Sequence, residues 1–366
     1  MKLTRIAVAL ATCAVAAAMA LPAAAFAEEG DQVHVYRIGH DTAEETAAYI
    51  AAEAMMIQQD VGTTGDVRCD YAVIARNDDF ADAMSAVGLA GALKCPILLT
   101  DRNSLSEITA EALSLWEVKT AYVIGGPGAI KSGIDSQISS LGITPKRIYG
   151  DYSWDTSLEC AHEIDKYTNH QNEAIGAMSI NFQDALSIST FAYSFGLPII
   201  LQTDGATSAD RSFTADGYNY LYDMEDVIIV GGPGAISEES TMGLDAMRVY
   251  GETGYDTSYQ IAQSIYGGDA EYPDYPLTPY VVVACGAQAA HGVDALAGAV
   301  LAGTLECPIL LVNDNPAMEA TNLTSVDTFM TDPYNWPKLY TAYALGGTYV
   351  MPEDTVQHIL DLLANG

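Results

Sequence analysis

Basic side chains are what this sequence has least of. Fifteen Lys and Arg stand against 48 Asp and Glu, a formal net charge of −33. So few cations leave little with which to displace counterions from phosphates, so nucleic acid is excluded as a partner and anionic membrane surfaces are repelled. Cysteine is scarce too, limited to Cys13, Cys69, Cys95, Cys160, Cys285 and Cys307. None forms a CxxC pair and no Cys/His spacing suits zinc, so no metal ligand set is expected. The histidines, His34, His40, His162, His170, His291 and His358, are scattered. G-x-S-x-G and HExxH are missing, and no nucleophile stands at a readable spacing from a base, so no catalytic residue is expected and the chain reads as a non-enzyme.

Long apolar runs are confined to the first thirty residues, "MKLTRIAVALATCAVAAAMALPAAAFAEEG". Lys2 and Arg5, then an Ala/Val/Leu core, then Ala25-Phe26-Ala27 follow the order of a secretory signal peptide, expected at 1–27 with the cut after Ala27. Thr12 before Cys13 argues against lipidation, and no later stretch could span a membrane. Loss of Lys2 and Arg5 takes the net charge from −33 to −35. The expected product is exported and soluble. Five cysteines then remain, and an odd number leaves at least one thiol unpaired in a monomer. Cys69 and Cys95 each precede an apolar strand-like run, so a disulfide joins them if those strands are parallel neighbours.

Repetition is what the sequence has in quantity. Arg37-Ile38 leads to Thr46, Arg147-Ile148 to Thr156 and Arg248-Val249 to Thr257, with Thr nine positions after Arg each time. Asp82-Ala83, Asp184-Ala185 and Asp294-Ala295 each stand fourteen positions before a "PILL" or "PIIL" at Pro96, Pro198 and Pro308. A glycine pair closes each series: Gly125-Gly126 in "VIGGPGAI", Gly231-Gly232 in "VGGPGAI" and Gly346-Gly347 in "LGGTYVM". The arginines lie 110 and 101 residues apart, which places three units at 31–145, 146–246 and 247–366.

Each unit alternates strand and helix. In the first, "TAEETAAYIAAEAMM" reads as a helix, "YAVIA" as a strand, "FADAMSAVGLAGALK" as a helix rich in small residues and "PILLT" as a strand. "SLSEITAEALSLW" opens with capping residues and reads as a helix; "TAYVIGG" is a strand, "SGIDSQISSL" a helix and "RIYG" a strand leading into the next unit. Continuously apolar strands separated by helices imply parallel sheets buried on both faces. The expected fold is α/β, three tandem similar units, each a mainly parallel sheet flanked by helices.

The glycine pairs invite comparison with a phosphate-binding loop, since a helix N-terminus after a strand suits an anion. They lack the third glycine of GxGxxG at its proper spacing and the Lys-Ser/Thr of a Walker loop, and they follow what reads as the last strand of a unit. Pro127 and Pro233 fit a helix start. The third copy keeps only the pair, which a tight strand-to-helix corner explains in all three.

Taken together these residues resemble three tandem cell wall binding repeats of type 2. "FADAM", "CPILLT" and "VIGGPGAI" carry the likeness in the first copy, "FQDAL", "LPIILQT" and "IVGGPGAI" in the second, and "GVDAL", "CPILLV" and "ALGGTYVM" in the third. The resemblance covers residues 36 to about 363, and implies noncovalent attachment to an anionic wall polymer of a Gram-positive bacterium, through three units set about a pseudo-threefold axis. The family's D-R-(Y/F) after the arginine is replaced by Thr42-Ala43-Glu44, Tyr152-Ser153-Trp154 and Thr253-Gly254-Tyr255, so one usual basic side chain is missing from every copy. On a chain this acidic, a divalent cation such as Ca²⁺ would have to bridge a polyanion, or the ligand is a less charged glycan.

Arg37, Arg147 and Arg248 are the repeated cations, and two roles stand open for them: contact with wall polymer, or pairing with local carboxylates. Thr46, Thr156 and Thr257 are expected to help start helices. Asp82, Asp184 and Asp294, identical in all copies, suit a shared structural role better than catalysis. Tyr152, Trp154 and Tyr255 stand at the corners, where aromatic faces stack on sugars or pack into the core. The expected protein is a secreted, non-enzymatic wall-binding protein without cofactor, its alternative an acidic adhesion or host-interaction protein on the same scaffold. Its oligomeric state is not set by these features.

Overall fold

The computed structural model describes residues 33–61, 66–79, 81–168, 173–177, 182–267, 278–286, 292–313, 322–335 and 339–365. The signal peptide expected at 1–27 lies outside the described residues, as do His170 and His291.

The strands are β1 (His34–Ile38), β2 (Tyr71–Arg76), β3 (Ile97–Thr100), β4 (Thr120–Ile124), β5 (Thr144–Ile148), β6 (Glu173–Ala177), β7 (Ile199–Leu201), β8 (Asp226–Val230), β9 (Ala246–Val249), β10 (Tyr280–Cys285), β11 (Ile309–Val312) and β12 (Thr341–Leu345). The inner strands and the "PILL" strands form where the chain is continuously apolar, while the outer strands β1, β5 and β9 carry the repeated arginines and are only partly buried. They make three four-stranded sheets in one repeated order: β3-β2-β4-β5, β7-β6-β8-β9 and β11-β10-β12-β1. All pairings within the sheets are parallel, with Val73 opposite Ile97, Ile175 opposite Ile199 and Val282 opposite Ile309. Ile97–Leu99, the core of a "PILL" strand, is wholly buried, as a sheet covered on both faces requires.

Helices cover the faces. In chain order they are α1 (Ala43–Gln59), α2 (Ala81–Met84), α3 (Val87–Ala92), α4 (Glu107–Leu115), α5 (Gly133–Ser140), α6 (Ser153–Ile164), α7 (Phe182–Phe195), α8 (Ala215–Tyr222), α9 (Gly254–Ile261), α10 (Val293–Thr304), α11 (Thr324–Thr331) and α12 (Glu353–Asn365). The fold is α/β with three equivalent units in a pseudo-threefold arrangement. The small-residue helix expected in the first unit is broken into α2 and α3, whereas α7 and α10 are continuous.

α3, α7 and α10 pack on one another at the centre of the molecule. Their small residues permit it: a side chain at Gly88 would come within 1.9 Å of the Leu197 carbonyl oxygen, and one at Gly91 within 2.0 Å of that of Tyr193. Each of these helices also packs against the helix that opens the following copy, α3 on α6, α7 on α9 and α10 on α1. The last pairing joins the third copy to the first.

The sheets are phased differently from the sequence copies. "RIYG", read as leading into the second unit, is β5 and completes the first sheet beside β4, and β9 likewise completes the second. The glycine pair therefore follows an inner strand, not the last of its sheet. The third sheet takes its outer strand from the start of the chain, β1, which lies parallel to β12 with Arg37 opposite Ala344.

The disulfide expected between Cys69 and Cys95 is not formed; both thiols are free. β2 and β3 are parallel neighbours, but the register that sets Val73 opposite Ile97 puts Cys95 level with Tyr71. Cys69 stands two residues further back, a step of about 6–7 Å along a strand, which leaves it out of bonding range. Burial pushes the Cys69 thiol up to about 12 and that of Cys95 well above its ordinary value, so both stay protonated.

A chain beginning at Gly39 leaves the backbone of β12 unpaired along its outer edge. It is expected to aggregate and to lose the cooperative urea transition that a chain beginning at Val33 shows, measured by circular dichroism with light scattering.

Candidate functional site

Each copy ends an inner strand on a glycine whose φ is positive: 108° at Gly125, 136° at Gly231 and 116° at Gly346. Side chains rarely tolerate that backbone, which explains why the third copy keeps its glycines while losing its proline. The amide of each donates to the neighbouring outer strand, Gly125 to Ile148 O at 2.9 Å, Gly231 to Val249 O at 3.0 Å and Gly346 to Ile38 O at 2.8 Å. The next carbonyl closes a tight turn, accepting from Ala129 and Ile130, from Ala235 and Ile236, or from Val350 and Met351. Pro127 and Pro233 sit in this turn and do not start a helix; α5 begins at Gly133, and a short 3-10 turn at Glu239 is the first helical element after Pro233.

The repeated arginines clamp these turns. Arg147 Nη1 donates to Gly125 O at 2.7 Å and Ile130 O at 2.9 Å, and Arg248 Nη1 to Gly231 O at 2.7 Å and Ile236 O at 3.0 Å. Arg37 Nη1 makes the same pair of bonds to Gly346 O and Met351 O. The rest of each guanidinium meets a local acid: Asp135 at 2.6 Å, Glu238 at 3.7 Å and Glu353 at 2.8 Å. Their side chains are only 20%, 11% and 15% exposed for Arg37, Arg147 and Arg248. Of the two roles the sequence left open, local pairing is the one this geometry displays, and the planar fork of arginine is what reaches two carbonyls and a carboxylate together.

Aromatic rings crowd the outside of the corners. Tyr152, 60% exposed, stacks on Trp154 with centroids 4.5 Å apart and planes 11° off parallel. Tyr255 instead packs partly buried against the core. Two further rings escaped the sequence reading. Tyr149 lies against Gly126 and Tyr250 against Gly232; a Cβ on either glycine would meet the ring at 2.9 Å. They are 48% and 47% exposed. The signal for them was present in the "RIYG" and "RVYG" that follow the same clamp arginine.

Matches to the pattern called cell wall binding domain 2 occupy residues 37–135, 147–241 and 248–356, each starting at one of the three arginines. This chain belongs to that family. The chain is 30% identical over 196 residues to the N-acetylmuramoyl-L-alanine amidase LytC of Bacillus subtilis, covering 53% of this chain and 38% of the relative. It is 27% identical over 198 residues to the amidase enhancer of the same organism, covering 53% of this chain and 26% of that one. This chain thus spans well under half the length of either relative. Among solved structures, Cwp8 from Clostridium difficile superposes with a TM-score of 0.74 at 22% identity, over 92% of this chain and 52% of that one, which shows the shared fold.

Two more repeated residues of the cell wall binding copies sit beneath the corners. Thr46, Thr156 and Thr257 are not N-caps; those places belong to Thr42, Tyr152 and Thr253. Each threonine is the fourth residue of its helix, and its hydroxyl accepts an amide from the corner: His40 at 3.0 Å, Gly150 at 3.1 Å and Gly251 at 3.0 Å. The three aspartates lie under the positive-φ glycines, where a Cβ would meet Asp82 at 3.0 Å, Asp184 at 3.3 Å and Asp294 at 3.2 Å. Burial raises all three carboxyl groups, Asp184 to about 6 and Asp294 to about 7. The hydroxyls of Thr156 and Thr257 counter that rise at Asp82 and Asp184. Among the described residues Asp294 has no such help, and its buried Oδ1 has no hydrogen-bond partner.

Arg147→Ala strands two carbonyls and is expected to cost about 1–3 kcal/mol of stability in urea unfolding. Arg147→Lys should recover less than half of it, because one ammonium cannot span both carbonyls and Asp135. A second prediction concerns pH. Unfolded aspartate titrates near about 3.9, and Asp294 is raised to about 7 when folded. The folded state therefore holds the proton more tightly, and stability falls as pH rises from about 4 through about 7. Asp294→Asn should match the wild type in thermal unfolding at pH 4 and melt roughly 5 °C higher at pH 8.

Proposed function

We propose that this chain is exported and attaches noncovalently to a polymer or glycan of a Gram-positive cell wall, without catalysing a reaction. The observation that carries this reading is that three copies of a cell wall binding domain account for most of the described residues. Membership of that family supports a wall ligand and a place at the cell surface. The signal-peptide pattern at 1–27 supports export, and among the described residues no helix is long and apolar enough to cross a membrane. The names of the two curated relatives, an amidase and an amidase enhancer, are consistent with work at the wall. The acidity of this chain and the engagement of its repeated arginines within their own corners favour a ligand gripped by something other than ion pairing.

The experiment is co-sedimentation of the mature protein with purified Gram-positive cell walls, with and without added Ca²⁺ or Mg²⁺. Retention in the pellet, saturable and reversed by excess soluble wall fragments, is the expected result. Protein left in the supernatant under every condition would sink the attachment reading and leave the adhesion or host-interaction alternative.

A further inference from the structure

Every glycine corner presents an exposed tyrosine, although the third copy cannot do so in the way the first two do. Tyr149 and Tyr250 come from the outer strand and lean on the second glycine of the pair. The matching residue in the third copy is Gly39, where a side chain would collide with the Gly346 carbonyl carbon at 2.1 Å. A tyrosine is excluded there by sterics. The corner regains one from the other side: Tyr349 stands in the turn, 64% exposed, where the first two copies have Gly128 and Gly234. Those two glycines are not held by crowding, since a side chain at either would meet nothing within 4 Å.

An exposed acid lies close in sequence to each corner. Asp151 follows Tyr149 by two residues, Glu252 follows Tyr250 by two, and Asp41 follows His40, whose carbonyl oxygen lies against Gly347 at the third corner. An aromatic face beside a carboxylate is poor for phosphate and well suited to an uncharged sugar. The ring covers the apolar C–H face of a pyranose, and the carboxylate accepts hydrogen bonds from its hydroxyls. The one repeated cation nearby, the clamp arginine, is turned inward to the carbonyls.

We propose that Tyr149, Tyr250 and Tyr349, with Asp151, Glu252 and Asp41, form three related sites for uncharged sugar rings of the wall glycan strand. This rests on the wall-attachment reading and names its ligand class. Each site alone is weak. Three on one rigid body engaged along a polymer multiply, because the second and third contacts are intramolecular.

The test compares wall binding by the full mature protein and its variants, on intact walls and on walls stripped of anionic polymers by hydrofluoric acid. The wild type should bind both preparations. Tyr149→Ser, Tyr250→Ser and Tyr349→Ser should each weaken binding by about three- to tenfold and all three together by more than about a hundredfold, with circular dichroism checking that each variant stays folded at the assay temperature. Tyr149→Ser combined with Gly128→Tyr, which moves the ring to the side used by Tyr349, should restore most of the loss. Wild-type binding confined to intact walls would overturn the neutral-sugar assignment, and full binding by the triple variant would overturn the sites themselves, in both cases leaving attachment standing. A wild type that binds neither preparation would overturn attachment and this proposal with it.

Discussion

The close approach of α3, α7 and α10 is the contact on which the rest of the molecule depends. Parallel sheets must be covered on both faces, and the inner cover of all three sheets converges where these helices meet. Their backbones approach closely enough to do so only because glycine stands at the crossing points, with Gly88 and Gly91 set against the carbonyls of Leu197 and Tyr193. Tyr193 is enclosed there with 1% of its surface exposed. Larger residues at the crossings would push the units apart and uncover the strands behind them.

That packing carries the corners with it. Each aspartate helix rests on the helix that opens the next copy, so the corner of one unit and the first turn of the following helix are held as one piece. Threonine ties the corner from below, arginine from the side, and the positive-φ glycine makes the turn. The third seam is the least complete among the described residues: Asp294 keeps an oxygen with no partner there, where Asp82 and Asp184 have a threonine hydroxyl beside them. It is also the seam where the third copy meets the first and where the ring-bearing position changes sides. The repeat departs from its own rule at the place where closure is made between distant segments.

A good part of this was legible in the residues. The Arg…Thr, Asp-Ala, Pro-Ile-Leu-Leu and Gly-Gly series marked three copies, and continuous apolar runs between helices marked parallel sheets. The corner reading of the glycine pairs also stood, because the loss of Pro127's counterpart in the third copy separated what the turn needs from what decorates it. Other readings failed for a common reason. Cys69 and Cys95 were placed on neighbouring strands correctly, yet a two-residue offset in register, invisible in either strand alone, keeps their thiols apart. Thr46, Thr156 and Thr257 looked like caps because they lie near helix starts, and only the path of the corner shows that they bind backward to it.

Composition and periodicity, which are local properties, were enough to determine the fold class, the number of copies, the acidic balance and the tight corner at each glycine pair. Tertiary structure alone decided what the repeated arginines hold, which sheet β1 completes and which tyrosines face solvent. Arg37 and the Gly346 carbonyl it grips are 309 positions apart. No local pattern reports a partner at that distance, and the closing of three sheets about one set of helices is what brings the two together.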